Sequence, residues 1–189
     1  HIRPWGDLES VEETLKSNTI AGIIIEGIQG VGGIQVPSSD FLQGISSLAK
    51  KYEAKLILDE VQSGYGRTGK FFAHQWVKGI QPDLISMAKG MGNGFPIGGI
   101  IIAPHIKPKH FQLGTTFGGN HLACAAALAV LEVMEEEKLM GNAVMIGKYL
   151  REELEKIEEL ENVRGRGLMI GFDVPEEYKD LKKNLLMNQ

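Results

Sequence analysis

The sequence predicts an α/β protein organised on a parallel sheet. Three features carry that expectation. Four short aliphatic runs, at residues 21–25, 55–58, 84–88 and 98–103, lack polar alternation, the pattern of strands covered on both faces. Helical patterns fall between the runs, so strand and helix alternate. From Asn120 onward longer helical periodicities take over, and a second, smaller unit begins.

The elements follow in order. Residues 7–17 place Leu8, Val11 and Leu15 on one helical face. The first run ends in Glu26 and is followed by GIQGVGG. Ser39-Asp40 can cap a helix in which Phe41, Ile45, Leu48 and Ala49 recur at helical spacing, with Lys50 and Lys51 in its last turn. The second run ends in Asp59-Glu60, followed by VQSGYGRTG; the third ends in Lys89, followed by GMGNG. Asn120 caps an Ala-rich helix, HLACAAALAVLEVMEEEKL, apolar first and acidic later. A second amphipathic helix is expected from Asn142 to about Glu159, with Ile146, Leu150, Leu154 and Ile157 on one face. Arg164-Gly165-Arg166-Gly167 then opens a run from Leu168 to Phe172 that reads as a strand. The charge shifts as well, from +1 over residues 1–125 (11 basic, 10 acidic) to −5 over 126–189 (9 basic, 14 acidic), which sets a soft boundary between 125 and 145.

Composition removes several classes. With 43% hydrophobic and 23% charged residues the 189-residue chain is ordinary globular protein, neither disordered nor fibrous. A net charge of −4 without a Lys/Arg run gives no footprint for nucleic acid, and no apolar stretch reaches membrane-spanning length. The single Cys124 has no partner within the chain, which favours a reducing, cytoplasmic compartment; in its Ala-rich setting it reads as buried packing. No His has metal-ligand spacing; His105 and His110 read as surface loop residues, Trp5 and Trp76 as packing. Half of the 24 glycines lie between residues 60 and 120, where the backbone must turn tightly around something.

In a parallel sheet all carboxyl ends share one edge, and open α/β proteins bind ligands there. Glu26, Asp59 and Lys89 should therefore face one crevice, each followed by glycines. An amine must be deprotonated to attack a carbonyl, and partial burial at a strand end favours the neutral amine. Lys89 is thus a candidate for Schiff-base chemistry, with a neighbouring carboxylate holding the ring nitrogen of a pyridine cofactor. The plainer alternative makes Lys89 an ion-pair partner of Asp59 or Glu60 at the sheet edge.

The run LILDEVQSGYGRTGKFFAHQ, then SMAKGMGNGFPIGG, then GTTFGGNHLACAAALAVL resembles the middle of a class III, fold type I pyridoxal-phosphate aminotransferase, and most closely the acetylornithine and succinylornithine aminotransferases. The resemblance covers essentially the whole chain. It implies pyridoxal 5'-phosphate as cofactor and the large domain of that fold, a parallel-rich sheet flanked by helices, with the start of a C-terminal α+β small domain. On this reading residues 1–125 are the central part of the large domain, 126–145 a connecting helix and 146–189 the start of the small domain. The resemblance makes Lys89 the lysine that carries the cofactor and later shuttles a substrate proton. It makes Asp59 the carboxylate that keeps the pyridine nitrogen protonated. Val61 becomes the residue packed on one ring face, Gln62 the side chain near the ring hydroxyl, and Thr116 the hydroxyl reaching the phosphate across a homodimer interface. Glu26 matches an acid of the family motif. The glycines and hydroxyls before Asn120 suit a phosphate at a helix N-terminus.

The expected reaction is transamination of N-acylated ornithine with 2-oxoglutarate, giving the semialdehyde and glutamate in arginine biosynthesis. Ornithine or 4-aminobutyrate aminotransferase and glutamate-semialdehyde aminomutase share the fold and remain alternatives. Val31 stands where ornithine and aminobutyrate enzymes commonly carry an acid, and Gly27 where Pro is common. Family members are about twice this length and supply a phosphate loop, a second ring-stacking aromatic and a carboxylate-binding Arg from parts outside these residues. The resemblance therefore implies weak or absent turnover by these 189 residues alone. From another class, residues 64–70 approach the phosphate loop G-x-x-x-x-G-K-[ST], but Phe71 replaces its metal-binding hydroxyl.

Overall fold

A computed structural model describes residues 1–107, 109–112, 114–178 and 180. Its centre is a four-stranded sheet in the order β1 (Gly22–Glu26), β2 (Lys55–Asp59), β3 (Leu84–Met87), β4 (Gly99–Ile102). The first three strands are parallel, as expected; β4 is antiparallel to β3. The sheet is thus parallel-rich, as expected, and the direction of β4 follows from connection length. Residues 88–98 are too few for the crossover that a parallel neighbour needs, so the chain turns back on itself.

Helix α1 (Leu8–Ser17) is capped by Asp7, and α2 (Ser39–Lys51) by Ser38. The cap lies one residue before the expected Ser39-Asp40, and Asp40 instead places its charge in the first turn, where the helix dipole favours it. Phe41, Leu42, Ile45 and Ala49 of α2 pack against Leu56 and Leu58, with Ile23, Ile25, Leu8, Val11 and Trp5 around them. Trp5 meets Phe41 with ring centroids 5.6 Å apart. Strand alternation sends Ile24, Ile57 and Ile100 to the other face, where Ile24 is 65% and Ile100 60% exposed. Among the described residues only one face is covered, because α1 and α2 both lie on the Leu56/Leu58 side.

The Ala-rich segment forms α3 (His121–Glu136), capped as expected by the Asn120 side chain, which accepts from the Ala123 N–H at 3.0 Å. It stops earlier than the pattern suggests because Lys138 adopts φ +52, and α4 (Leu139–Leu154) starts immediately, ahead of Asn142. α3 buries Ala123, Ala127 and Met134; Cys124 lies off that stripe and is exposed, so the expectation of a buried cysteine is corrected. The apolar run after Gly167 forms β6 (Met169–Asp173), and the preceding β5 (Glu161–Arg166), not foreseen, pairs with it antiparallel. This hairpin is fastened to the rest of the chain: Arg164 Nε donates to Gly33 O at 2.8 Å and Leu168 N to Arg67 O at 2.9 Å. Among the described residues no helix is long and apolar enough to cross a membrane.

Candidate active site

Register assembles the site. Glu26 is the partner of Asp59 across β1 and β2, and Asp59 that of Ser86 across β2 and β3. All three stand on the face opposite Leu56 and Leu58, at the carboxyl ends. Asp59 is half-buried; its Oδ1 accepts from the Val61 N–H at 3.0 Å and from Ser86 Oγ at 3.2 Å. The first bond is an Asx turn, by which an Asp at a strand end folds the following chain back. Oδ2 has no hydrogen-bond partner among the described residues. Glu26 closes its own turn, Oε2 accepting from the Gly30 N–H at 2.8 Å, and Gln29 and Gln35 then pair through both backbone groups at 3.0 Å.

Lys89 opens a one-turn 3₁₀ segment (Lys89–Met91) directly after β3 and takes φ +44, a conformation costly for a side chain with Cβ. Its Nζ donates to Gln62 Oε1 at 3.2 Å. Among the described residues it makes no ion pair with Asp59 or Glu60, so the plainer reading of Lys89 as a sheet-edge counter-ion is not what the fold does. Lys89 is exposed, and the partial burial expected of it is absent among these residues. Nor does Lys89 line the cavity that the other two strand-end charges share. That cavity, of about 500 Å³, runs along the edge of β1 toward Trp5 and Phe41. The link from Lys89 to the other two runs through Gln62, whose amide lies over Gly30. Val61, two residues after Asp59, is half-buried.

Glu60 behaves differently from its neighbour. It is 1% exposed, on the Leu58 side of the strand, and accepts from the N–H of Ala73 (3.0 Å), the N–H of His74 (2.9 Å), His74 Nδ1 (2.9 Å) and Ser63 Oγ. Burial pushes its carboxyl up, but the bonds from His74, Ser63 and Ala73 outweigh burial and hold it below the usual value. Burial also raises the Tyr65 phenol, which packs on Gly90 next to Lys89. Residues 64–70 do not form a nucleotide loop. They lead into a short 3₁₀ turn (Ala73–Trp76) instead of an α-helix, Thr68 is fully buried with Trp76 Nε1 donating to its carbonyl at 3.2 Å, and a Cβ at Gly69 would lie 2.3 Å from Val144. Trp76 is half-buried, with the Lys70 and Arg166 cations 5.3 and 5.2 Å from its ring centre.

Thr116 lies in the exposed turn before α3 and is not brought into hydrogen-bond contact with Glu26, Asp59 or Lys89. There Thr115 Oγ1 accepts from the Gly118 N–H at 3.2 Å. Val31 is 97% exposed at the tip of the turn after β1. His105 is exposed, as expected, and bonds Asp83 at 2.7 Å; the described residues hold no cluster of metal-ligating side chains. Sequence reasoning passed over Ser86, Gly30 and the Glu60–His74–Ser63 group. For Glu60 a signal was present: the alternation that buries Leu56 and Leu58 assigns Glu60 to the same covered side.

Residues 5–188 match the class-III aminotransferase family. The chain belongs to that family. It is 45% identical over 180 residues to an acetylornithine aminotransferase of Archaeoglobus fulgidus, covering 94% of this chain and 47% of that one. The solved acetylornithine aminotransferase of Elizabethkingia anophelis superposes with a TM-score of 0.86 at 36% identity, over 98% of this chain and 48% of the other. An ornithine aminotransferase of Toxoplasma gondii, whose structure is described with partial occupancy of PLP at its active site, gives 0.87 at 31% identity, over 98% and 45%. The chain thus spans about half the length of the curated relatives it matches.

Pyridoxal 5'-phosphate is the cofactor of this class of aminotransferase. The residues present fit it. Among the described residues Asp59 offers an acceptor-only oxygen that nothing else uses, held in place through Oδ1, and Lys89 offers a primary amine with a single neutral acceptor and no counter-ion.

Proposed function

We propose that this chain is the cofactor-holding part of an acylornithine aminotransferase, which moves the amine of N-acetyl- or N-succinylornithine to 2-oxoglutarate, yielding the semialdehyde and glutamate in arginine biosynthesis. The observation that carries the reading is the row Glu26, Asp59, Ser86 at the strand ends, with Lys89 on the next turn and tied to it through Gln62. Bound there, pyridoxal 5'-phosphate supplies an electron sink for the carbon that bears the substrate amine. Lys89 is the base that takes that carbon's proton at Nζ and returns it. Asp59, anchored at Oδ1 by Val61 and Ser86, keeps its charge at one point and would hold the protonated ring nitrogen. Gln62, which holds the Lys89 amine, would lie near the ring hydroxyl, Val61 would cover one side of the ring, Thr116 would reach the phosphate across a dimer interface, and Glu26 would shape the floor beside them.

In the whole protein we assign residues 1–125 to the large domain, 126–145 to the connection and 146–189 to the start of the small domain. We further infer a cytoplasmic homodimer, supported by the family resemblance. The names of the relatives support acylornithine as donor. Free ornithine is the second reading, favoured by the 0.87 TM-score to an ornithine aminotransferase. A donor panel with 2-oxoglutarate on a full-length protein containing this chain separates them. The first reading predicts kcat/KM for an acylornithine at least about tenfold above ornithine, or about 1.4 kcal/mol of discrimination. Equal or better use of ornithine establishes the second.

A further inference from the structure

We propose that Glu26 and Gly30 are positioning residues that seat the Gln62 amide against the Lys89 amine. The proposal rests on the reading of Lys89 as the group that carries the chemistry, and it concerns what holds that group.

Three contacts run from the end of β1 to the turn after β3. Glu26 Oε2 accepts from the Gly30 N–H at 2.8 Å, which fixes the backbone of Gly30 beneath the loop that follows β2. The Gln62 side chain lies directly on Gly30: a Cβ there would stand 2.6 Å from Oε1, 2.9 Å from Cδ and 3.3 Å from Nε2. Gln62 Oε1 accepts from Lys89 Nζ at 3.2 Å. A lysine ammonium only donates, so this contact sets which end of the amide faces Lys89.

Gly30 is not glycine for reasons of backbone conformation. The left-handed positions in this turn are Gly33 at φ +95 and Ile34 at φ +56, while Gly30 lies outside that region and tolerates a Cβ locally. The three atoms nearest to where its side chain would be all belong to the amide of Gln62. The far end of a glutamine is flexible, so Gly30→Ala is expected to act by displacing the amide. The same substitution withdraws the acceptor from Lys89. Glu26 acts one step earlier, by holding Gly30 at that height.

The test is a double-mutant cycle read on Lys89 itself, in protein without added cofactor. Acetic anhydride is applied in a brief pulse, and the acetylation of Lys89 relative to the other lysines is measured by peptide mass spectrometry. Gly30→Ala and Gln62→Ala should each change the Lys89 rate by roughly two- to tenfold, the range of one ordinary hydrogen bond. The double variant should equal either single one, because both remove the same contact. Glu26→Ala should give a change of the same sign, and Glu26→Gln, which keeps an acceptor oxygen for the Gly30 N–H, should restore the original rate. Additive effects, or an unchanged Lys89 rate in a folded Gly30→Ala protein, overturn the proposal. If Gly30→Ala fails to fold, recovery of folding by adding Gln62→Ala supports the proposal, and no recovery overturns it. A coupled cycle in a protein that does not bind pyridoxal 5'-phosphate leaves the relay standing and removes the proposed function; binding without coupling does the reverse.

Discussion

Glu60→Gln is a near-isosteric change whose cost follows from the geometry. Each carboxylate oxygen of Glu60 serves two donors: Oε1 takes the His74 N–H and Nδ1, and Oε2 takes the Ala73 N–H and Ser63 Oγ. An amide has one acceptor oxygen, so its NH₂ must face one of the two pairs. Ser63 can rotate to accept and His74 can change tautomer, but a backbone N–H cannot, so one buried N–H is left without a partner in either orientation. Such an orphan costs about 1–3 kcal/mol, and the loss of charge assistance brings the total to about 2–4 kcal/mol. Urea unfolding at 25 °C and pH 7 reads this as a lower midpoint with unchanged slope. The sign with pH follows from the lowered carboxyl of Glu60. Its contribution is complete above the unfolded value near pH 4.5 and is lost as pH falls through the folded value. The difference between the two proteins should therefore narrow below about pH 4.5. A difference under about 0.5 kcal/mol at pH 7, or one that widens in acid, refutes the reasoning.

Other outcomes follow from the same structure. Leu42→Ala, at a residue with no exposure in the α2–sheet core, should cost about 2–5 kcal/mol in the same urea experiment. The Glu12 carboxyl, held at about 2 by hydrogen bonds from Lys51 and then Tyr52, should titrate there by NMR and move up in Lys51→Ala. What it adds to stability is present above its unfolded value and fades as pH falls toward 2. Asp59→Asn in a full-length protein should lower turnover by at least about a hundredfold while leaving the fold intact; unchanged turnover removes its electrostatic role.

Much of this arrangement was legible in the sequence, for local reasons. The Asn120 cap, the α2 stripe of Phe41, Ile45 and Ala49, and the charges at or just past the ends of the first three strands are all set by neighbours in the chain. Parallel register then brings Glu26 and Asp59 side by side with no further information. The rest depends on tertiary relations. An aliphatic run such as residues 98–103 reads alike in either direction, and only the short connection from β3 reveals that β4 reverses. The same run reads as doubly covered even where Ile100 stays exposed, since hydrophobicity states what a residue prefers, not what is present to cover it. Contacts such as Lys89 with Gln62, or Gln62 over Gly30, join segments far apart in sequence and leave no periodic trace.

The central claim is that Lys89 holds the cofactor, and borohydride reduction of a full-length protein saturated with pyridoxal 5'-phosphate tests it most directly. Peptide mapping after reduction should place the cofactor on the peptide containing Lys89, and Lys89→Ala should abolish the labelling while Asp59→Asn retains it. Labelling fixed on another lysine, or undiminished in Lys89→Ala, contradicts the account.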